Sequence, residues 1–409
     1  MSVSVLSGWT REQKHVVLAS FLGWALDAFD FFLLVFVLKD IAKEFGTDVT
    51  VVTVAILLTL AMRPIGAFLF GRAADRYGRR PILMVNVALY SLLAFASGFA
   101  PSLTALLVLR ALFGVAMGGE WGVASSLTME SIPPHARGFV SGLLQAGYPT
   151  GYLLASVAYA LLFPLVGWRG MFMLGVLPAL LVLYIRKSVP ESPSWARRPA
   201  HEGGTIAVVK KHWRLAIYAV ALMTAFNFFS HGTQDLYPTF LEVDHKLSPH
   251  AVGTIAVIYN IGAIAGGIIC GSLSERIGRR RTIVTAALLS LPMVPLWVMT
   301  SHPAFLAAGA FMMQFMVQGA WGVIPVHLNE LSPDEARATF PGFVYQLGNL
   351  IASVNATMQA AIAAHYGNNY ALSLALVAIV FALVIAVLTA FGVEAKGVVF
   401  GARPRTARA

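Results

Sequence analysis

Charge is what this 409-residue chain has least of. Asp, Glu, Lys and Arg together make up 12% of it, against 58% hydrophobic residues. A soluble domain carries roughly 25% charged residues, so the composition excludes a water-solvated globule. Cysteine is scarcer still. The one thiol, Cys270, rules out an internal disulfide framework and a cysteine-built metal centre. Short segments of alternating polarity are missing, which excludes a membrane barrel. No nucleotide-binding loop, HExxH or nucleophile-elbow motif occurs, and His302, His327 and His365 are scattered over different segments. The expectation is no enzyme, no cofactor and no metal.

Present in their place are long apolar runs rich in Ala, Leu, Gly and Met, many near the ~20 residues that a spanning helix needs. The chain reads as an all-α polytopic membrane protein. The first run, Val16 to Leu38, is too long for a signal-peptide core and has no small-x-small cleavage site behind it. Twelve spans are expected, at about 15–38, 50–72, 81–99, 102–128, 138–163, 169–186, 215–240, 250–272, 282–300, 303–328, 339–363 and 369–391. An even number puts both termini on one side.

Lysine and arginine test that sidedness. The termini and the even-numbered loops hold 23 of the 29. The odd-numbered loops hold only Lys39, Lys43, Arg169 and Lys246, and Arg63 and Arg110 lie inside spans. By the positive-inside rule both termini are cytoplasmic. The net charge of +10 is therefore a topology signal, and the expected surroundings are a lipid bilayer, with no nucleic acid.

The polar loop at 187–213 divides the chain into an N-terminal bundle, 1–186, and a C-terminal bundle, 214–409. The two halves repeat at a constant offset of 200 residues. GRAADRYGRR at Gly71–Arg80 matches GSLSERIGRR at Gly271–Arg280, GEWGV at Gly119–Val123 matches GAWGV at Gly319–Val323, and Glu130, Pro133 and Arg137 match Glu330, Pro333 and Arg337. Parallel six-span repeats are the design of major facilitator transporters, with the site between the halves near the bilayer midplane.

Ionisable residues inside spans are expensive and face a wet cavity or one another. Here they are Asp27 and Asp30 in the first span, Arg63 in the second, Arg110 and Glu120 in the fourth, and His231 and Asp235 in the seventh. The third, sixth, ninth and twelfth spans have no charged interior and suit lipid-facing support. Asn227, Ser230, His231, Gln234 and Asp235 follow i, i+3, i+4, i+7, i+8 and so share one helix face. Polar stripes recur in the fifth span (Ser141, Gln145, Tyr148, Tyr152), the tenth (Gln314, Gln318, Trp321) and the eleventh (Gln346, Asn349, Ser353, Thr357). One shared aqueous pathway accounts for all of them.

GRAADRYGRR resembles the loop between spans two and three of the major facilitator superfamily, and RALFGVAMGGEWG (Arg110–Gly122) resembles its fourth-span motif. GWALDAFDFFLLVF, GLLQAGYPTGYLLA, VPESPSW and YQLGN are similar to the sialate:proton symporter family. NFFSHGTQDLYPTF (Asn227–Phe240) resembles the seventh-span motif of that family's lactate–pyruvate permeases, while the acid in Gly119-Glu120-Trp121-Gly122 is nearer its bacterial members. The resemblance implies a twelve-span major facilitator fold in a bacterial cytoplasmic membrane. It also implies import of a small organic acid anion, lactate or pyruvate first and sialic acid as the alternative, together with a proton and by a single chain. An organic-cation or drug carrier binding directly to Asp27 and Asp30 is the rival.

The expected substrate ligands are Arg63, Arg110, Gln145, Tyr148, Asn227, His231, Gln234, Gln346 and Asn349, because guanidinium grips two carboxylate oxygens at once and amides read hydroxyl or carbonyl groups. Proton coupling is expected at Asp27, Asp30, Glu120, His231 and Asp235. The bland reading makes the acids ion-pair partners of Arg63 or Arg110, and His231 a packing residue held by its polar neighbours. Gating is expected at Asp75, Arg76, Arg80, Glu130 and Arg137 and at their mates Glu275, Arg276, Arg280, Glu330 and Arg337, with Glu130 clamped to Arg137 and Glu330 to Arg337.

Overall fold

The computed structural model describes residues 8–197, 208 and 210–400. Part of the expected 187–213 linker and the two chain ends fall outside the described residues. Helix follows helix throughout, and no strand occurs among the described residues. Ten helices are long and apolar enough to cross a membrane by length and composition, among them Arg11–Phe36, Leu103–Ser131, Pro249–Ile277 and Tyr370–Ala390.

The other two crossings are interrupted. The helix Gly147–Leu174 contains Gly167 at φ 62°, which ends the fifth span and starts the sixth, continued by Ala179–Ser188. The eleventh span is split into Thr339–Ala352 and Asn355–His365. Twelve crossings result. Several helices run a turn past their apolar stretch, because a helix can carry its polar ends out of hydrocarbon. The second, expected to stop near residue 72, continues to Tyr77.

Glycine decides the two sharpest turns. Gly78 at φ 109° and Gly278 at φ 101° close the second and eighth spans and open the third and ninth. Only glycine adopts such angles without strain, so the two repeated GRR loops are turns before they are anything else. Glycine also brings helices together. A Cβ on Gly118 would lie 2.0 Å from the Arg63 carbonyl oxygen, and one on Gly114 2.2 Å from that of Thr59. The fourth span therefore lies backbone to backbone on the second, in the small-residue manner of membrane helices, and holds Arg63 in place.

The two halves meet at the end that carries the even-numbered loops, again through glycine backbone. A Cβ on Gly142 would fall 2.1 Å from the Gly267 carbonyl, one on Gly138 2.3 Å from that of Gly271, and one on Gly122 2.8 Å from the Gly342 Cα. Acids lock this seam. Asp75 accepts from the Ala338 amide (3.1 Å), the Thr339 amide (3.0 Å) and the Thr339 hydroxyl (2.6 Å), capping the N-terminus of a helix in the other half. Its mate Glu275 accepts from the Gly138 amide at 2.5 Å.

Candidate functional site

A cavity of about 400 Å³ lies between the halves. The seventh span builds its polar wall. The helix Trp213–Gln234 keeps its registry to the end, so Asn227, Ser230, His231, Gln234 and Asp235 all face the cavity. Asn260, Gln318 and Asn349 join them from the eighth, tenth and eleventh spans.

These groups are already bonded. Gln318 Nε2 donates to Ser230 Oγ at 3.1 Å and Gln234 Nε2 to Gln314 Oε1 at 2.7 Å, while Gln314 Nε2 donates to Thr233 Oγ1 at 3.0 Å from behind the wall. His231 spans two oxygens, Asp235 Oδ1 at 3.2 Å from Nδ1 and Asn349 Oδ1 at 3.2 Å from Nε2. The ring thus bridges the Asp235 carboxylate and the Asn349 amide along the cavity wall. About a third of each side chain is open to the cavity.

The N-half wall is different in kind. Phe31, Phe32, Val35, Ile56, Leu60, Tyr148, Pro149 and Tyr152 make it apolar and largely aromatic, with Arg63 and Gln145 the polar exceptions. Phe32 packs edge-on against Tyr148 (5.3 Å) and Tyr152 (4.9 Å), which fixes the ring orientations. Arg63 is 2% exposed, stands 5.8 Å from the Phe31 ring centre, and has no hydrogen-bond partner at Nε or Nη2 among the described residues.

Behind this wall, off the cavity, lie Asp27, Asp30, Arg110 and Glu120, all buried. None of the six carboxylate oxygens of Asp27, Asp30 and Glu120 has a hydrogen-bond partner among the described residues. Glu120 Oε1 presses on the first span at Gly23, where a Cβ would come within 2.6 Å of it. The charges of Asp27 and Glu120 interact with Arg63, and that of Asp30 with Arg110. Arg110 donates to Ser97 Oγ at 2.8 Å and sits over the rings of Phe113 and Phe172, at 4.2 and 4.9 Å. Gln346 is also buried off the cavity, with its amide unpartnered among the described residues. Of the nine expected substrate ligands, the structure brings seven to the cavity and sets Arg110 and Gln346 apart.

At the seam, the charges pair across the halves. Arg137 Nη1 lies 3.8 Å from Glu330 and Arg337 Nη1 4.0 Å from Glu130. This crosswise pairing replaces the expected clamps within each half, because Arg137 opens a helix that abuts the eighth span. The strongest pairs belong to Arg79, with Glu130 and Asp75 at 3.1 Å, and to Arg279, with Glu330 at 3.0 Å and Glu275 at 2.8 Å. The turn at Gly78 or Gly278 points the next residue inward. Arg76 and Arg276 are instead exposed, and Arg80 and Arg280 bond backbone carbonyls of their own half, Arg186 and Thr389.

The cavity residues that the polar stripes overlooked are Phe31, Phe32, Tyr259, Asn260 and Tyr345. The 200-residue offset carries the missing signal. Phe31 and His231, Val35 and Asp235, Leu60 and Asn260, and Gln145 and Tyr345 all line the cavity as repeat mates. Among the described residues no group of His, Cys, Asp and Glu is arranged to hold a metal ion.

Known proteins match this architecture. A carboxylic acid transporter protein homolog of Saccharomyces cerevisiae is 31% identical over 385 residues, covering 87% of this chain and 62% of its own length. This chain thus spans less than two thirds of that relative. The sialic acid transporter NanX of Escherichia coli is 29% identical over 87% of this chain and 88% of its own. The crystal structure of the proton:xylose symporter XylE superposes with a TM-score of 0.78 at 18% identity, covering 95% of this chain and 98% of that one, which is a likeness of fold. The pattern of the Major Facilitator Superfamily matches residues 20–243 and 220–406. The chain is a multi-pass membrane protein and belongs to the major facilitator superfamily of transporters.

Proposed function

We propose that the chain is a proton-coupled symporter that imports a monocarboxylate anion by alternating access. The carrying observation is Arg63. Among the described residues it is the one arginine on the cavity wall and has no hydrogen-bond partner at Nε or Nη2, and the acids behind the wall act on it. A ligand carboxylate can accept two parallel N–H bonds from such a guanidinium. Asp27 and Glu120 then lose their counter-charge, and an uncompensated buried carboxylate costs several kcal/mol. Taking a proton removes that cost, so anion binding and protonation favour each other. A monoanion plus one proton crosses without net charge.

In this reading residues 1–186 and 214–409 rock about the 187–213 linker. The even-loop end is cytoplasmic and sealed, and the cavity receives the ligand from outside. His231 and Asp235 add a second proton site in the opposite wall. The relatives that carry carboxylic and sialic acids support the organic-acid part. The seventh-span pattern favours lactate or pyruvate within that class. An organic-cation carrier is disfavoured, because Asp27 and Asp30 lie off the cavity wall. Cavity and acids belong to one chain, so a monomer suffices.

The test is uptake of a labelled monocarboxylate into proteoliposomes under an inward-acid pH step. Accumulation should follow the step and collapse with a protonophore. Uptake indifferent to pH, or driven only by a sodium gradient, would sink the reading.

A further inference from the structure

Resting on the monocarboxylate reading, but departing from lactate and pyruvate within it on the size and chemistry of the cavity, we infer that the acid this cavity is built for is a planar, ring-sized carboxylate carrying a hydrogen-bond donor on the edge opposite its carboxylate. Three observations lead there, and the first is size. Six heavy atoms, each given as much room as a water in the liquid, fill roughly 180 Å³, less than half of the 400 Å³ present. An acid as small as lactate would leave more than half of that space to water.

The second is the division of labour between the walls. Hydrogen-bonding groups crowd the C-half wall, where Ser230, Asn260, Gln318 and Asn349 stand beside the His231–Asp235 pair. The N-half wall presents ring faces, held by the contacts of Phe32 with Tyr148 and Tyr152. A flat unsaturated ring satisfies both, because its faces are apolar and its polar groups lie on its edge. Stacked or edge-on aromatic contacts of this kind add affinity beyond area burial. A saturated polyhydroxy ring carries hydroxyls all around its equator. Those turned toward Phe31, Phe32 and Leu60 would lose water without gaining a partner, a desolvation penalty for each.

The third observation is charge. The cavity opposes a cation on one wall to a carboxylate on the other, Arg63 against Asp235. A simple anion uses only the first. An acid whose far edge donates a hydrogen bond uses both, and Asp235, open to the cavity, is the acceptor. Asp235 is also held by His231, so an analogue lacking the donor forgoes one charge-assisted hydrogen bond to its carboxylate.

The experiment is a competition series in proteoliposomes with the full chain, using 4-hydroxybenzoate, benzoate, lactate and glucuronate against proton-driven uptake of labelled 4-hydroxybenzoate, with thermal shift of the purified protein as an independent binding readout. The expected order is 4-hydroxybenzoate at least tenfold tighter than benzoate, and both tighter than lactate and glucuronate. Asp235→Asn should compress the gap between 4-hydroxybenzoate and benzoate to threefold or less, and Phe32→Leu should weaken both planar acids about fivefold while leaving lactate within twofold. Lactate or glucuronate binding as tightly as the planar acids overturns the inference and leaves the monocarboxylate reading standing. Binding of none of the four by either readout overturns both. If Asp235→Asn fails to fold, the wild-type ranking decides alone.

Discussion

The two halves of the molecule repeat in sequence yet differ in how they treat buried polarity. In the C-half, the groups on the cavity wall are bonded to one another: Gln318 to Ser230, Gln234 to Gln314, His231 to Asn349 and Asp235. In the N-half, the carboxyl groups of Asp27, Asp30 and Glu120 and most of the guanidinium nitrogens of Arg63 and Arg110 are buried without hydrogen-bond partners among the described residues. A satisfied network is rigid and suits recognition. Unsatisfied charge is poised to change, because adding a proton or an anion lowers its energy. The repeat has thus been divided between reading the ligand and responding to it.

The heaviest blow to this division is the loss of Arg63. Arg63→Gln should cut uptake at least 100-fold, and Arg63→Lys should recover only a small part, since an ammonium lacks the planar fork. Initial rates in proteoliposomes decide it, and Arg63→Gln within threefold of the wild type would remove the N-half from anion binding.

Next in size is neutralisation of the acids at constant shape. Asp27→Asn and Glu120→Gln should abolish pH-driven accumulation, a loss of tenfold or more, while exchange of labelled for unlabelled acid continues at a rate within a few-fold of wild type. Loss of both activities together would make these residues scaffolding. The same variants should keep or raise the melting temperature, because two acids share the one Arg63 guanidinium and neutralising either removes their mutual repulsion while leaving a pair.

The C-half should fail more gently. Gln318→Ala removes one neutral hydrogen bond of about 1 kcal/mol and should raise KM roughly fivefold with kcat within twofold. A pure kcat defect would contradict a binding role.

The smallest effect lies outside the membrane spans, in the loop between the first and second. Glu44 accepts from Arg169 Nη2 at 2.7 Å and Nε at 3.0 Å and from Trp168 Nε1 at 2.5 Å. The hydrogen bonds from Arg169 hold its carboxyl below the ordinary value of 4.5. Its contribution to stability is therefore full above about pH 4.5 and fades as pH falls through the lowered value. The pair is one-third to two-fifths exposed, so screening limits it to a fraction of a kcal/mol. Glu44→Gln should lower Tm by less than about 2 °C at pH 7, and by progressively less as the pH is taken down through the lowered value.

Much of this was legible in the sequence, and for physical reasons. Hydrocarbon forces length and apolarity on a span, so the twelve crossings could be read directly, and the i, i+3, i+4 spacing placed all five polar residues of the seventh span on one face. Helix periodicity states which residues share a face and leaves open what that face meets. Asp27 and Asp30 do share one, yet it turns toward the fourth and sixth spans and away from the cavity. Arg110 and Gln346 escaped for the same reason, since a helix buried on every side offers several polar faces. Arg79 and Arg279 were obscured by neighbours of identical type, Arg76 and Arg80, and only the turn at the preceding glycine selects among them. Phe31 and Tyr345 look like packing until they are paired with His231 and Gln145 at the repeat offset.

The seam of glycines has a consequence for the speed of the cycle. Glycine has no rotamers, so pressing Gly122 on Gly342, or Gly142 on Gly267, freezes no side-chain entropy. Along these glycine contacts nothing interdigitates, so the two backbones can part without repacking, and the rings of Trp121 on Tyr345 and Phe68 on Phe343 are what must slide. The closed state is then held chiefly by the acid caps, the crossed ion pairs and a few hydrogen bonds such as Val326 N to Ser141 Oγ and Asn329 Nδ2 to Ser125 Oγ, a handful of bonds that break one at a time. A gate of that kind has a low activation barrier for its depth.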